Sequence, residues 1–207
     1  MKLKINLTEH HNNGFYICDT QFNQKNMNQS TIYSIGHGNK TLEKFIEELH
    51  AYKIEFLFDV RSKPYSKFNP HFNKEVLEAE LMQNGVTYIY AGDFLGGLPN
   101  DISCYVKGKV DYEKVKEKDF FKTGINTIVE ANHEKMIIAL MCSEAKPETC
   151  HRSKLIGQEL LKYNISVNHI IDSNVMKDQA KVMNEFLQGK NLTNLFGDEN
   201  LTSRKKY

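Results

Sequence analysis

Tryptophan is absent from this 207-residue sequence, and proline and cysteine occur only four times each. The four cysteines, Cys18, Cys104, Cys142 and Cys150, are spaced too irregularly for a disulfide framework. A chain this long buries an adequate core without one. Reduced thiols and a cytoplasmic location are therefore expected. Charge of one sign is lacking as well: 27 Lys and Arg face 26 Asp and Glu, for a net charge of +1. That balance argues against a dedicated electrostatic nucleic-acid binder, though not against a local basic patch. No apolar run nears the roughly 18 residues that cross a bilayer, so no membrane partner is expected. The opening residues 1–7 have no apolar h-region, and a secretory signal is not expected. No G-x-G-x-x-G and no Walker A motif follows any candidate strand, which removes the standard dinucleotide and P-loop sites. There is no internal repeat.

What is present is a regular alternation of apolar patterns. Residues 31–35, 55–60, 86–90, 136–141 and 167–171 read as strands, the fourth apolar throughout and so buried on both faces. Between them lie helical patterns at 42–52, with Thr41 as N-cap, and at 74–84, with Gly85 in the C′ position. Others follow at 112–133, in two pieces around Gly124, and at 147–163 and 174–187. Strands alternating with helices of this length mean βαβ units. The expected fold is a single Rossmann-like, three-layer α/β domain with a mainly parallel sheet of about five strands. It should occupy residues 30–188, with a polar N-terminal extension at 1–29 and a polar, basic C-terminal tail at 189–207. The tail is expected to be mobile, with Leu192, Leu195 and Phe196 docking back on the body. Strand order and oligomeric state are not readable.

In an open parallel sheet, ligands bind beyond the carboxyl ends of the strands, and the polar residues that most need explaining fall there. The first strand runs into Gly36-His37-Gly38-Asn39, either a tight turn with a solvated histidine or a loop in which the glycines admit a ligand. The second ends Asp59-Val60-Arg61 and continues to Ser66. An Asp and an Arg at the end of an apolar strand must pair or hold a ligand. Either they form a structural bridge, or Asp59 is an acid/base and Arg61 an anion ligand. The third leads to Leu95-Gly96-Gly97, a plain loop or a pocket wall.

The fourth strand delivers Cys142-Ser143-Glu144, and the next helix carries Cys150-His151-Arg152 near its start. Cations at a helix N-terminus oppose the macrodipole. A negative partner is expected, either Glu144 or a bound phosphate or carboxylate. On the second reading, Arg152→Ala abolishes anion binding and leaves the fold intact. Cys142, beside basic residues, suits a nucleophile with His151 as its base. The Cys-x5-Arg loop of tyrosine phosphatases is absent, because Glu148 stands where the arginine belongs. Cys142, Cys150 and His151, with His37, also make a zinc or iron set, though at no standard spacing. No metal or other cofactor is assigned. Cys142 and Cys150 can equally be read as a redox pair or as small buried residues. His169, in the fifth strand, reads as a core histidine with local hydrogen bonds. Lys63, Tyr65, Lys67, Phe68 and His71 mix basic and aromatic residues in one loop, a composition that suits nucleic acid but is common without it.

Taken together, these residues resemble a bacterial and archaeal family catalogued only as domain of unknown function 488. The resemblance runs from Thr31 to about Ile171. It rests on residues 31–38 ending Gly36-His37-Gly38, on Asp59-Val60-Arg61 with Pro64 and Ser66, on Leu95-Gly96-Gly97, on Leu140-Met141-Cys142-Ser143-Glu144, and on Cys150-His151-Arg152 with His169-Ile170. Gly38 replaces a frequent serine, so a hydroxyl is missing there. The resemblance implies an α/β fold and adds weight to the cluster at the strand ends. It implies no activity, substrate or cofactor.

The expectation is an enzyme that binds a small anionic substrate at the carboxyl edge of the sheet. Catalytic candidates are Cys142, Glu144, Asp59 and His37. Binding candidates are Arg61, Cys150, His151, Arg152, Gly96, Gly97 and Ser66. A non-catalytic ligand sensor or adaptor using the same pocket is the alternative. A nucleic-acid-processing factor is another, with salt-dependent binding lost when Lys63 and Lys67 are neutralised.

Overall fold

Thr41 opens the first helix as its pattern requires, its hydroxyl accepting a hydrogen bond from the Lys44 amide at 3.2 Å. That helix, α1 (Leu42–Ala51), buries Phe45, Ile46 and Leu49 on one face. It follows strand β1 (Ile32–Gly36) and precedes β2 (Phe56–Asp59). Next come α2 (Lys74–Gln83), β3 (Thr87–Tyr90) and the short α3 (Gly92–Leu95). Gly85 ends α2 at φ +74°, as expected of a C′ glycine. A small antiparallel hairpin, β4 (Tyr105–Val106) and β5 (Lys109–Val110), leads into α4 (Tyr112–Lys116) and α5 (Asp119–His133). Strand β6 (Ile138–Cys142) is buried at every residue. The chain then passes through an irregular helical stretch containing α6 (Gln158–Leu160) to β7 (Asn168–Asp172), β8 (Val175–Asp178) and α7 (Gln179–Leu187). The structure, a computed structural model, describes residues 32–187, 193–194, 197–198 and 201–207. The N-terminal extension and the expected docking of Leu192, Leu195 and Phe196 lie outside the described residues.

The main sheet has six strands in the order β3-β2-β6-β1-β7-β8, all parallel except β8. This is not the flavodoxin-like order, because β6 is inserted between β1 and β2. The period-2 alternation sends side chains to two cores. Ile35, Leu57, Ala139 and Met141 pack with α1 and α2, whereas Ile32, Phe58, Ile138 and Leu140 pack with α5 and with Leu155, Ile156 and Leu160 on the other face. The sheet is thus sandwiched, which is why β6 reads as a continuous apolar run. From β1 the chain crosses toward β2, and from β6 it crosses the opposite way toward β7. These two strands are neighbours, so a crevice opens between their carboxyl ends. Their register sets Gly36 abreast of Cys142.

Three expected elements differ. The 112–133 helix breaks at Glu117–Lys118, where the Asp111-capped α4 ends, and not at Gly124. Gly124 lies buried inside α5 against Leu95. The first turn of the expected 174–187 helix is the antiparallel edge strand β8, paired with β7. The end of the tail is docked rather than loose. Ser203 donates its amide to the Val110 carbonyl, and its hydroxyl accepts from the Val110 amide, both at 3.0 Å. Tyr112 N–H donates to Leu201 O at 3.0 Å, Tyr207 N–H to Gly108 O at 2.7 Å, and the buried Lys154 ammonium to Thr202 O at 2.9 Å. Leu201 is buried at that junction.

Candidate functional site at the carboxyl edge of the sheet

The β1–β6 ladder continues past the strands, with His37 N–H donating to Cys142 O at 3.0 Å and Gly38 N–H to Ser143 O at 3.1 Å. Gly36 is required by proximity: a Cβ there would lie 2.0 Å from the Glu144 carbonyl and 2.9 Å from an Arg152 nitrogen. His37 is buried and stacked on Phe72, with ring centroids 4.3 Å apart. Its Nδ1 faces the Gly38 carbonyl at 2.9 Å and must carry the proton as donor. Its Nε2 has no hydrogen-bond partner among the described residues. Burial is the main cause of a pKa lowered to about 4, so the ring is neutral.

Asp59 and Arg61 form the bridge that was one of the two readings. Arg61 Nε donates to Oδ1 at 2.8 Å and Nη2 to Oδ2 at 2.6 Å, in bidentate geometry. Oδ1 also accepts the Arg61 amide at 3.0 Å, and Oδ2 the Tyr88 hydroxyl at 2.7 Å. Asp59 is wholly buried with its lone pairs engaged, which does not suit a free acid or base. Arg61 also donates to Phe72 O at 2.8 Å, and Nη1 takes part in none of these bonds.

The 147–163 segment is not one straight helix. Pro147–Thr149 is a single 3-10 turn, Cys150 is extended (φ −97°, ψ 152°), and Arg152–Gly157 is a π-helical stretch. Residues 150–156 are all buried. The Ser153 hydroxyl donates to the carbonyls of Pro147 and Cys150. Widened turns of this kind recur at functional sites. Here the turn directs Arg152 inward rather than toward solvent. Arg152 is the largest fully buried side chain among the described residues and lines neither of the two cavities at this edge. Its Nε donates to Cys150 Sγ at 3.3 Å, Nη1 to Ser34 Oγ at 3.2 Å and Nη2 to Glu144 O at 2.5 Å. Each guanidinium nitrogen donates one bond within the protein, and this inward direction speaks against Arg152 as a direct anion ligand. The helix N-terminus expected to support one is replaced by the 3-10 turn and the break at Cys150.

A buried polar chain continues from Arg152. Ser34 Oγ donates to His169 Nδ1 at 2.6 Å, His169 Nε2 donates to Gln179 Oε1 at 2.8 Å, and Gln179 Nε2 donates to Ser153 O at 3.0 Å. Each donor meets one acceptor only if His169 is neutral. Burial, the leading cause, lowers its pKa to about 4. His169 is the core histidine expected.

His151 donates Nε2–H to the Val60 carbonyl at 3.0 Å, which turns Nδ1 toward Cys150 Sγ (3.7 Å) and Cys142 Sγ (4.0 Å). Gly97 lets the β3 loop cover this ring, since a Cβ there would lie 2.9 Å from Nδ1. The donor atoms of Cys142, Cys150 and His151 lie within 4.8 Å of one another, and these are the residues that could hold a metal ion. His37 does not belong to that cluster. The two sulfurs titrate as a pair. The neighbouring Cys150 and then the Arg152 charge hold Cys142 below an ordinary thiol, against its burial. Burial, first, and the neighbouring Cys142 raise Cys150.

A cavity of about 260 Å³ opens over this cluster. Arg61, Gly97, Cys142, Glu144 and His151 line it, as do Lys63 and four tail residues, Ser203, Arg204, Lys205 and Tyr207. A second cavity, of about 330 Å³, shares Arg61, Lys63 and Ser143 with the first and adds His37 and Ser66. Cys150 and Gly96 line neither cavity. Sequence reasoning missed Arg204, Lys205 and Tyr207. The available signal was Leu201, an apolar anchor just ahead of the basic run.

Glu144 pairs with Arg204 at 3.2 Å. Burial, followed by the Cys150 charge, raises its pKa to about 7. A carboxyl whose folded pKa exceeds its unfolded value binds extra protons in the fold, so stability falls as pH rises from about 4.5 through 7. Glu144→Gln is expected to raise the melting temperature relative to wild type at pH 8, and much less at pH 5, by differential scanning calorimetry. An equal effect at both values would contradict the raised pKa.

A family model described as Domain of unknown function DUF488 matches residues 41–158, more than half of the chain. The match spans α1 to α6 and contains Asp59, Arg61, Cys142, Glu144 and Cys150–Arg152. No curated protein and no solved structure shows significant similarity to the chain.

Proposed function

The chain belongs to the Domain of unknown function DUF488 family, and from that premise we propose that it is an enzyme acting on a small anionic substrate, phosphate- or carboxylate-bearing, at the carboxyl edge of the sheet. The observation that carries the reading is the charge of the cavity over the cysteine cluster. Four basic side chains, Arg61, Lys63, Arg204 and Lys205, line the 260 Å³ cavity against the single carboxylate of Glu144. Glu144 and the Asp59 behind Arg61 answer two of those charges. Lys63 and Lys205 make no ion pair among the described residues and are exposed at the mouth. They leave a surplus of positive charge where a low-dielectric wall focuses it. Glu144, with a pKa of about 7, can give or take a proton at neutral pH. No helix of the described residues is long and apolar enough to cross a membrane.

Thermal-shift titration with inorganic phosphate, pyrophosphate and sugar phosphates tests the reading. At least one should raise the melting temperature in a saturable way, by mass action on the folded state. Lys63→Ala with Lys205→Ala should weaken that ligand by about tenfold or more, at roughly 1 kcal/mol per lost charge-assisted contact. The absence of any shift, or the same affinity in the double variant, would remove the reading. A sensor would bind equally well without turnover.

One observation favours nucleic acid as the anion. Phe68 is 94% and Tyr65 58% exposed beside the second cavity, with Lys63 and Lys67 in the same loop. Exposed rings flanked by lysines suit stacked bases and phosphates. Steeply salt-dependent oligonucleotide binding would support that version.

A further inference from the structure

Three donor atoms beneath the cavity lack partners of matching strength. Cys142 and Cys150 are buried and no disulfide joins them. His151 gives its Nε2–H to the Val60 carbonyl, which leaves Nδ1 as a buried lone pair 3.7 Å from Cys150 Sγ and 4.0 Å from Cys142 Sγ. A thiol S–H is a weak donor, and at those distances it satisfies the nitrogen poorly. Arg152 poses the complementary problem. It is 1% exposed, and its three bonds go to a hydroxyl, a backbone carbonyl and the Cys150 sulfur, none of them a carboxylate. A buried cation needs negative charge beside it, and sulfurs that ligate a metal as thiolates carry it.

We infer that Cys142 Sγ, Cys150 Sγ and His151 Nδ1 bind a zinc ion and leave its fourth position open to the cavity. Two thiolates and an imidazole are a donor set that suits zinc, and three protein ligands with one open position are the arrangement of catalytic rather than structural zinc. The three donor atoms lie within 4.8 Å of one another. Zinc bonds of about 2.3 Å to sulfur and about 2.0–2.1 Å to nitrogen, at tetrahedral angles, set each nitrogen–sulfur edge at about 3.6 Å. The separations of 3.7 and 4.0 Å close to that edge by less than about half an ångström. The surroundings are those of a metal ligand as well. Ligating histidines donate their other ring N–H to a carbonyl or carboxylate, as His151 does to Val60. Arg152 Nε donates to the Cys150 sulfur at 3.3 Å, a charge-assisted bond to a ligand thiolate.

Neither Glu144 nor His37 belongs to the cluster, so no fourth side chain joins it among the described residues. Cys142 and His151 line the cavity and Cys150 does not, which turns the free side of the ion toward the cavity. On binding, zinc displaces the two thiol protons, which leave to the buffer. The ion and its two thiolates then sum to zero, and the Arg152 guanidinium remains as one buried positive charge. An anionic fourth ligand, a hydroxide or a substrate oxygen, neutralises it, whereas a neutral water does not. The ion stands independently of the anionic-substrate reading, and only this choice of fourth ligand rests on it.

Metal titration with zinc and with cobalt(II) as its spectroscopic substitute tests the site. The full chain is kept reduced, stripped with a chelator and titrated with either ion. The expected result is about one zinc per chain, with a dissociation constant of about 100 nM or tighter by competition with a chromophoric chelator. The cobalt form should show the visible bands of a tetrahedral ion and sulfur-to-cobalt charge transfer in the near ultraviolet. X-ray absorption at the zinc edge should find two sulfurs at about 2.3 Å and lighter atoms at about 2.0–2.1 Å. These readings need no variant to fold. Cys142→Ser should weaken zinc by about 100-fold or more, beyond what the loss of an outer partner costs, whereas Cys104→Ala, at a buried thiol outside the cluster, should not. Azide should move the cobalt bands by taking the open position, and phosphate or pyrophosphate should move them too. No zinc bound, a cobalt spectrum without sulfur charge transfer, or full-strength binding in Cys142→Ser would overturn the site. Three sulfurs on the ion, or bands unmoved by azide, would overturn the open position. Bands moved by azide and not by either phosphate leave the zinc site standing and overturn the substrate anion as its fourth ligand alone.

Discussion

Arg152→Met is expected to cost about 3–5 kcal/mol of stability, the range for breaking a buried charged network, and to lower the melting temperature by about 10 °C in a domain of this size. Methionine roughly keeps the volume and the apolar stem contacts but removes all five N–H donors. The Ser34 hydroxyl, the Glu144 carbonyl and the Cys150 sulfur each lose their donor at a site that water does not reach. Unsatisfied buried acceptors of this kind cost about 1–3 kcal/mol each. Arg152→Lys should rescue little, since one ammonium cannot reach three acceptors set by a planar fork. The sequence-based expectation that Arg152→Ala leaves the fold intact is therefore reversed, because the side chain points into the protein and not into the cavity. Chemical denaturation with an unchanged m-value checks the magnitude. A loss below 1 kcal/mol would contradict this role for Arg152.

Asp59→Asn should be comparably severe, about 3–5 kcal/mol, for the opposite reason. The carboxamide matches the carboxylate in shape but not in charge. It leaves the Arg61 guanidinium, which is 5% exposed, without its anion. The amide NH2 would also face either the Arg61 nitrogens or the Tyr88 hydroxyl. Tyr88→Phe, which removes one of four bonds to Asp59, should cost only about 1 kcal/mol. The contrast between the two substitutions separates loss of the ion pair from general disturbance of the β2 end. Equal costs in the two variants would deny the bridge its importance.

Much of the fold is legible in the residues themselves. Five apolar runs separated by helical periodicity announce the parallel strands, and Thr41 and Gly85 mark helix ends by the bonds and dihedral they go on to supply. Strand order is not legible. Inserting β6 between β1 and β2 depends on which long crossover packs where, and local pattern carries no trace of that. The edge strand β8 was hidden because Val175-Met176-Lys177-Asp178 is too short to betray its period beside the helical pattern of α7. In the site, residue types correctly marked the strand ends, since Asp, Arg, Cys and His beside apolar runs must be paired or used. Which of them are paired depends on side-chain direction. The residue types leave open whether Asp59 and Arg152 face a ligand or a protein partner, and both face inward. The tail contribution was missed because its basic run resembles a solvated end. What docks it is Leu201 and backbone pairing with Val110, partners about ninety residues away in sequence.

An anion bound at the carboxyl edge of β1, β2 and β6 should be visible directly. A crystal of the protein soaked in tungstate, with data collected at the tungsten absorption edge, tests it most directly. An anomalous peak within hydrogen-bonding distance of Lys63, Arg204 or Lys205, over the Cys142 sulfur, is expected. An empty cavity with tungstate bound only elsewhere on the surface would contradict it.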